Sequence, residues 1–301
     1  MEEIRITGGE PIMHKGTWKL FDWFKDNPDR GRDMRFAINS NLCPDTPKVL
    51  DRLVKESWHV PHLEIYTSME ATGVQGEYIR DGLDYNAWMS NIHRVLNESN
   101  VEKLHMMMTI NSLCLNSITE FMDEMLDLRE TYGHKAPTMT LNILRFPSFQ
   151  SAAILPEDIK TFYKEKLDNW YQSERPQEMM SDGEKESVRR LIDYLDIVKT
   201  PHKNTAETPK LYNDFKSFFA QYDIRRDKDF VSTFRGPLAD WFSSLEAEVP
   251  LAQDILFGNN STNTVDQVID DPATTKGYDG GDDLHEKTVP GWNTETDNLG
   301  S

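Results

Sequence analysis

Between residues 3 and 145 the chain alternates short runs of apolar and β-branched residues with longer stretches whose apolar residues recur every three or four positions. The first pattern is that of strands and the second that of amphipathic helices, so the alternation predicts consecutive βαβ units around a mainly parallel sheet. "EIRIT" (3–7) precedes a helix carrying Trp18, Phe21 and Phe24 that is closed by Pro28, and "MRFAIN" (34–39) precedes one carrying Val49, Leu50, Leu53 and Val54. "LEIYTS" (63–68) is followed by Trp88, Met89, Ile92, Val95 and Leu96, and "LHMMMTI" (104–110) by Ile118, Phe121, Met122, Met125 and Leu126. "TMTLNIL" (138–144) completes the series, with right-handed crossovers expected throughout. Met106, Met107 and Met108 read as core filling.

Past residue 150 the pattern changes to charged helices without strands. Ile159, Phe162, Tyr163, Leu167, Trp170 and Tyr171 form one stripe; Val188, Leu191, Ile192, Leu195 and Val198 form another, opened by the capping candidate Ser181. "LYNDFKSFFAQY" (211–222) and "PLADWFSSLE" (237–246) each offer an aromatic face for the sheet domain or for a partner. From Gly258 onward, nine acids and two lysines among Asn, Thr and Gly leave little apolar surface to offset chain entropy, which predicts a disordered acidic tail. The expected organisation is therefore an α/β domain over 1–150, a helical region over 151–257 and the tail over 258–301.

Composition narrows the function classes. A net charge of −18 argues against broad contact with nucleic acid, which needs clustered Lys and Arg. No run approaches the roughly 20 apolar residues of a membrane span and no basic-then-apolar leader opens the chain, so a cytoplasmic protein without a membrane partner is expected. Cys43 and Cys114 are the only cysteines, too few and too far apart for a disulfide framework or a CxxC metal site.

In parallel α/β folds the site is built by the loops after the strands' C-terminal ends, which directs attention to strand-end residues. These are Gly8, Gly9 and Glu10; Asn39, Ser40 and Asn41; Thr67, Ser68 and Glu70; Thr109 and Asn111; and Asn142 with Arg145. Gly8-Gly9-Glu10-Pro11 reads either as an ordinary strand-to-helix turn or as a place where backbone and a fixed carboxylate approach a cationic amino group. Its position after the first strand, with polar residues ending every later one, favours the second reading.

Four segments in this order resemble the radical S-adenosylmethionine enzymes over about residues 3 to 145. "IRITGGEPIM" is similar to that family's second strand and the loop that holds the cofactor's methionine amine, and "FAINSNL" to an apolar strand ending in a Thr-Asn-Gly-type turn. "IYTSMEATGVQGEYIRDGLDYNAWMSNIHRVL" and "LHMMMTINSLCLNSITEFMDEM" resemble the fourth and fifth strands with their helices. The resemblance implies a parallel (βα) partial TIM-type barrel, of which this chain would supply strands two to six of six. It further implies that Gly8, Gly9, Glu10 and Pro11 cradle the amine, that Ser68 and Glu70 meet ribose hydroxyls or the methionine moiety, and that Arg80 pairs with the cofactor carboxylate. Asn39 and Asn41 are weaker carry-overs. For Arg80, a local ion pair with Asp81 is the alternative.

The family's activity is reductive cleavage of S-adenosylmethionine to a deoxyadenosyl radical that abstracts hydrogen from a substrate, here unidentified. It depends on an electron donor and on a [4Fe–4S] cluster held by a C-x3-C-x2-C loop after the first strand. That loop is absent, and so is the first βα unit, so the expectation is an N-terminally truncated fragment with an open edge at residues 3–7. Residues 227–242 faintly echo peptide- or phage-associated members of the family. The alternative is a catalytically silent ligand-binding or interaction module on the same fold. A third reading, an unrelated enzyme using Glu10 and Glu70 as an acid–base pair, needs those carboxyls within reach and one raised pKa.

Overall fold

The computed structural model describes residues 3–44, 46–198 and 207–246, all within one unit of the chain, residues 1–249. The expected tail from Gly258 and the last stretch of the helical region lie outside the described residues. The elements are β1 (Glu3–Ile6), α1 (Lys15–Asp26), α2 (Pro28–Gly31), β2 (Arg35–Asn39), α3 (Pro47–Ser57), β3 (His62–Ser68), α4 (Gly73–Ile79) and α5 (Tyr85–Glu98). They continue with β4 (Val101–Ile110), α6 (Ile118–Tyr132), β5 (Thr138–Ile143), α7 (Glu157–Tyr171), α8 (Glu174–Met179) and α9 (Asp182–Ile197). The last three are α10 (Glu207–Arg226), α11 (Phe230–Phe234) and α12 (Pro237–Ser244).

All five strands expected from the sequence form, and they pair in chain order, β1-β2-β3-β4-β5, every pair parallel. Side chains alternate between the two faces of each strand, and the faces differ in character. Phe36, Ile38, Leu63, Ile65, Leu104, Met106, Met108, Met139 and Leu141 occupy one face and are buried in the core. Trp18, Phe21, Leu53, Trp88, Ile92, Phe121 and Met125, all on α1, α3, α5 and α6, belong to the same apolar cluster. Met107 departs from the core-filling expectation: it lies on the opposite face, half-buried, because its neighbours Met106 and Met108 take the helix side. An extra residue on β4, Glu102, sits between the pairs Leu63–Val101 and Glu64–Lys103 and keeps this alternation in phase.

The two sheet edges are treated differently. Along β5 the outer backbone is taken up by α9: Met139 N–H donates to Glu184 Oε1 at 2.8 Å, and Arg190 Nη2 donates to the Leu141 carbonyl at 2.9 Å. β1 pairs only with β2 among the described residues, so its other side is an edge. Ser181 caps α9 as expected, and Glu184 completes a capping box. In α7 the buried face is Ile159, Lys160, Tyr163, Leu167 and Tyr171, whereas Phe162 is 46% exposed, contrary to the stripe read from the sequence. Lys160 takes the inward position because its Nζ reaches the Val198 carbonyl at 2.6 Å.

The aromatic segments of α10 and α12 pack on their own chain. Phe230 of α11 stacks on Phe242 at 4.0 Å and contacts Phe215, Phe219, Phe234 and Tyr78 of α4. Polar pins fix the same helices to α4 after β3 and to the turn after β4: Gln75 Nε2 donates to the Thr233 carbonyl (3.1 Å), Asn116 Nδ2 to the Phe234 carbonyl (2.6 Å), and Tyr222 OH to the Tyr78 carbonyl (2.7 Å). Phe149, after β5, meets Phe218 at 5.2 Å. The elements that follow β3 and β4 are thereby packed against α10–α12, while Gly8, Gly9 and Asn41 after β1 and β2, and Asn142 and Arg145 at the end of β5, stay exposed.

Candidate functional site

Gly8 and Gly9 leave β1 with φ of +88° and +55°. Both lie in the left-handed region that side-chain-bearing residues resist, although an added Cβ would meet nothing within 4 Å at either position. The glycine pair is thus demanded by backbone angle, and the reversal it makes presents Glu10 to the next loop. Glu10 Oε2 accepts the Asn41 backbone N–H at 2.7 Å, while Oε1 is buried without a hydrogen-bond partner among the described residues. Pro11, buried, opens the short 3-10 turn Pro11–Met13 with the one residue that has no N–H to leave unsatisfied.

Asn39 ends β2 on the same side, with Oδ1 buried and also without a partner among the described residues. Asn41 contributes its backbone to Glu10, and its side-chain Oδ1 accepts the Cys43 N–H at 2.8 Å, closing the turn. Ser68 is the half-buried last residue of β3, beside Met107 of β4. A bare buried carboxylate oxygen is a place for a donor, and a cationic amino group is the donor a carboxylate favours most.

Glu70 and Arg80 form a second group. Glu70 is 3% exposed, and its Oε2 accepts Arg80 Nη2 at 2.6 Å and Nε at 3.3 Å. Burial raises the Glu70 pKa, and the Arg80 charge works against that rise. Arg80 therefore pairs with Glu70 and not with Asp81, which instead meets Arg226 at 3.0 Å and Lys228 at 3.5 Å. No hydrogen bond or ion pair among the described residues joins Glu10 to Glu70.

Both cysteines are free. Cys43 is half-buried, and burial, with the Asp84 and Glu10 carboxylates, pushes its thiol up to about 11. Cys114 is fully buried, donates to the Asn111 carbonyl at 3.2 Å, and is pushed up further by the same cause. Neither is a thiolate at neutral pH, and no group of three or more His, Cys, Asp or Glu able to hold a metal occurs among the described residues. These donors do not fit an iron–sulfur cluster. Moving Cys43 from an ordinary 9.0 to about 11 lowers its thiolate fraction at pH 8 about 100-fold. Native protein is expected to alkylate correspondingly slowly at Cys43 and not at all at Cys114, with both reacting in urea; rapid native labelling of either, read by mass spectrometry, contradicts this account.

Sequence reasoning passed over a set of mid-strand residues. On the face opposite the core lie Glu3 and Arg5 of β1, Arg35 of β2, Glu64 and Tyr66 of β3, Lys103 and His105 of β4 and Thr138 of β5. Glu64, 8% exposed, is their hub: Oε2 accepts Tyr66 OH and His105 Nε2, each at 3.1 Å, and Oε1 lies 3.6 Å from Arg35 Nη1. Glu64 only accepts, so His105 carries its proton on Nε2 and accepts Thr138 Oγ1–H at Nδ1, 2.8 Å away. Burial lowers the His105 pKa, against the pull of Glu64, so the imidazole is neutral at pH 7. The signal that marks these residues is the polar half of each strand's two-residue alternation.

Neither a scan against protein-family models nor a search of the curated proteins finds a match to this chain. Surface clefts of about 560 Å³ at Val74, Tyr78 and Lys228 and about 220 Å³ at Phe24, Pro28 and Trp58 involve none of the strand-end residues above. No helix among the described residues is long and apolar enough to cross a membrane.

Proposed function

We propose that this chain is the S-adenosylmethionine-binding part of a radical S-adenosylmethionine enzyme, built on part of a (βα) barrel with a helical C-terminal cover. The observation that carries the reading is Glu10: a carboxylate at the exit of the first strand, one oxygen tied to Asn41 N–H and the other buried and bare. Chain-order pairing of five parallel strands supports the barrel, since barrels are wound in that way. In this reading Gly8 and Gly9 let the backbone approach the ligand, Glu10 and Asn39 accept from its ammonium group, and Ser68 lies at the neighbouring strand end. Arg80, held by Glu70, fixes that buried carboxylate, and its pairing with the cofactor carboxylate would require the two to separate.

When bound, S-adenosylmethionine supplies a sulfonium open to reductive cleavage. The residues of this chain bind and orient it; they offer no thiolate set for the cluster that would deliver the electron. That same chemistry favours the second reading, a ligand-binding module without radical activity, because a protonated Cys43 and a buried Cys114 suit a protein that uses no cluster. Hydrogen exchange tests the shared part of both readings. Adding S-adenosylmethionine is expected to slow exchange over residues 8–13 and 39–43 and to leave 157–197 unchanged; unchanged exchange at the first two segments would sink the proposal.

A further inference from the structure

We propose that the polar face of the sheet is a second binding site, which takes an anionic group, a carboxylate or a phosphate, between Arg5 and Lys103 beside the Tyr66–His105 stack. Parallel sheets are ordinarily apolar on both faces, because both are covered. Here one face is apolar and packed, whereas the other carries charged and hydroxyl side chains from every strand, with Thr140 and Asn142 exposed. Such a face needs a partner other than core.

The chemistry of that partner follows from which charges are already matched. Glu3 accepts Arg5 Nε at 3.0 Å and is also paired to Arg35 Nη2. Glu64 is taken by Arg35, Tyr66 and His105, as described. Lys103, the register neighbour of Glu64, is half-buried yet makes no hydrogen bond or ion pair among the described residues. Glu102, next to Lys103 in the chain, is taken by His62 Nδ1 at 2.7 Å, so the carboxylates around Lys103 are matched by other groups.

Arg5 is held ready for a ligand. Its register partner Ala37 is small, so the side chain crosses β2 and lays its guanidinium 4.2 Å over the Tyr66 ring. Tyr66 in turn stacks on His105 at 4.2 Å and 14°. The stack holds the guanidinium over Tyr66, and Arg5 gives Glu3 its Nε. Lys103 lies two residues from His105 on β4, and both cations disfavour a proton on that imidazole after burial and Glu64 have had their larger effects. The stack that Arg5 covers thus ends on the strand that carries Lys103, on the same face of the sheet. An anion meeting a stacked guanidinium from one side and an ammonium from the other gains charge-assisted hydrogen bonds from both.

The site adjoins the proposed S-adenosylmethionine cradle, since Asn39 is the register neighbour of Tyr66, but Arg5, Lys103 and His105 have no part in that cradle, so the anion test can fail without it. The test uses the whole chain with labelled histidine, following the His105 ring signals by NMR while inorganic phosphate, or separately succinate, is added with ionic strength held by sodium chloride. A saturable His105 shift is expected with at least one anion, and which one saturates distinguishes a phosphate from a carboxylate ligand. Lys103→Gln and Arg5→Gln should each weaken the midpoint about tenfold or more. Lys103→Gln breaks no side-chain hydrogen bond among the described residues, so its melting temperature should match that of the parent. No saturable shift with either anion, a shift that chloride reproduces, or an unchanged midpoint in Lys103→Gln overturns the proposal.

Discussion

Replacing Glu184 by alanine is expected to reduce the unfolding free energy by about 3–5 kcal/mol at pH 7, the range for breaking a buried ion pair by removing one partner. Glu184 is 3% exposed and serves three structures at once. It accepts Arg129 Nη2 at 2.6 Å and Nη1 at 3.0 Å, the Met139 N–H of the β5 edge at 2.8 Å, and the Ser181 N–H and hydroxyl at 2.8 Å each. Its loss leaves Arg129 held only by the carbonyls of Met179 and Pro137, an uncompensated cation in a mostly buried site.

The pH dependence gives a second readout of the same group. Burial alone would raise the Glu184 pKa, but Arg129 and the backbone donors outweigh it and hold the carboxyl below its ordinary value. A carboxyl depressed in the folded state binds fewer protons there than when unfolded. Its contribution is therefore complete above the unfolded value of about 4.3 and is lost as pH falls through the lower folded one. Urea unfolding of Glu184→Gln should show reduced stability at neutral pH and a flatter fall on acidification. A loss under about 1 kcal/mol for Glu184→Ala at pH 7 would mean the carboxylate is not the tie between α9, α6 and β5 described here.

Phe230→Ala is expected to cost about 3–5 kcal/mol, the usual range for emptying a buried phenylalanine site. Phe230 is fully buried and is shared by α10, α11, α12 and α4, with ring partners at 4.0 Å (Phe242), 4.8 Å (Phe234), 5.5 Å (Phe219) and 5.8 Å (Phe215 and Tyr78). The loss should be local before it is global: exchange at residues 73–79 and 207–244 should accelerate while the sheet amides keep their protection. Phe218→Ala, at a ring 43% exposed, should cost much less. Equal acceleration across sheet and cover would show that α10–α12 are not a separable cover over the ends of β3 and β4.

The sheet could be read from the chain because its strands and helices carry different apolar periods, and Ser181 with Glu184 spells its cap locally. What escaped was non-local or disguised. α4 has two glycines among its seven residues, which hides a helix from the sequence; Gly76 sits inside it because an added Cβ would lie 2.8 Å from the Ala71 carbonyl. Arg80 neighbours Asp81 in sequence, but the fold brings it to Glu70, ten residues away, where burial makes the pairing worth more. The strand-end rule pointed to Gly8, Glu10 and Asn39, the residues on which the proposed cradle rests. It also drew attention away from Arg5, Glu64, Tyr66 and His105, whose signal is the polar beat within strands otherwise read for their apolar one.

The most direct test of the central reading is isothermal calorimetry of S-adenosylmethionine on the parent chain and on Glu10→Gln. Glutamine keeps one carbonyl oxygen for the Asn41 N–H and removes the charge, so the variant should melt as the parent does. Saturable binding by the parent, weakened at least about tenfold in the variant, is what the Glu10 cradle requires. No binding by folded parent protein, or equal binding by Glu10→Gln, would contradict it.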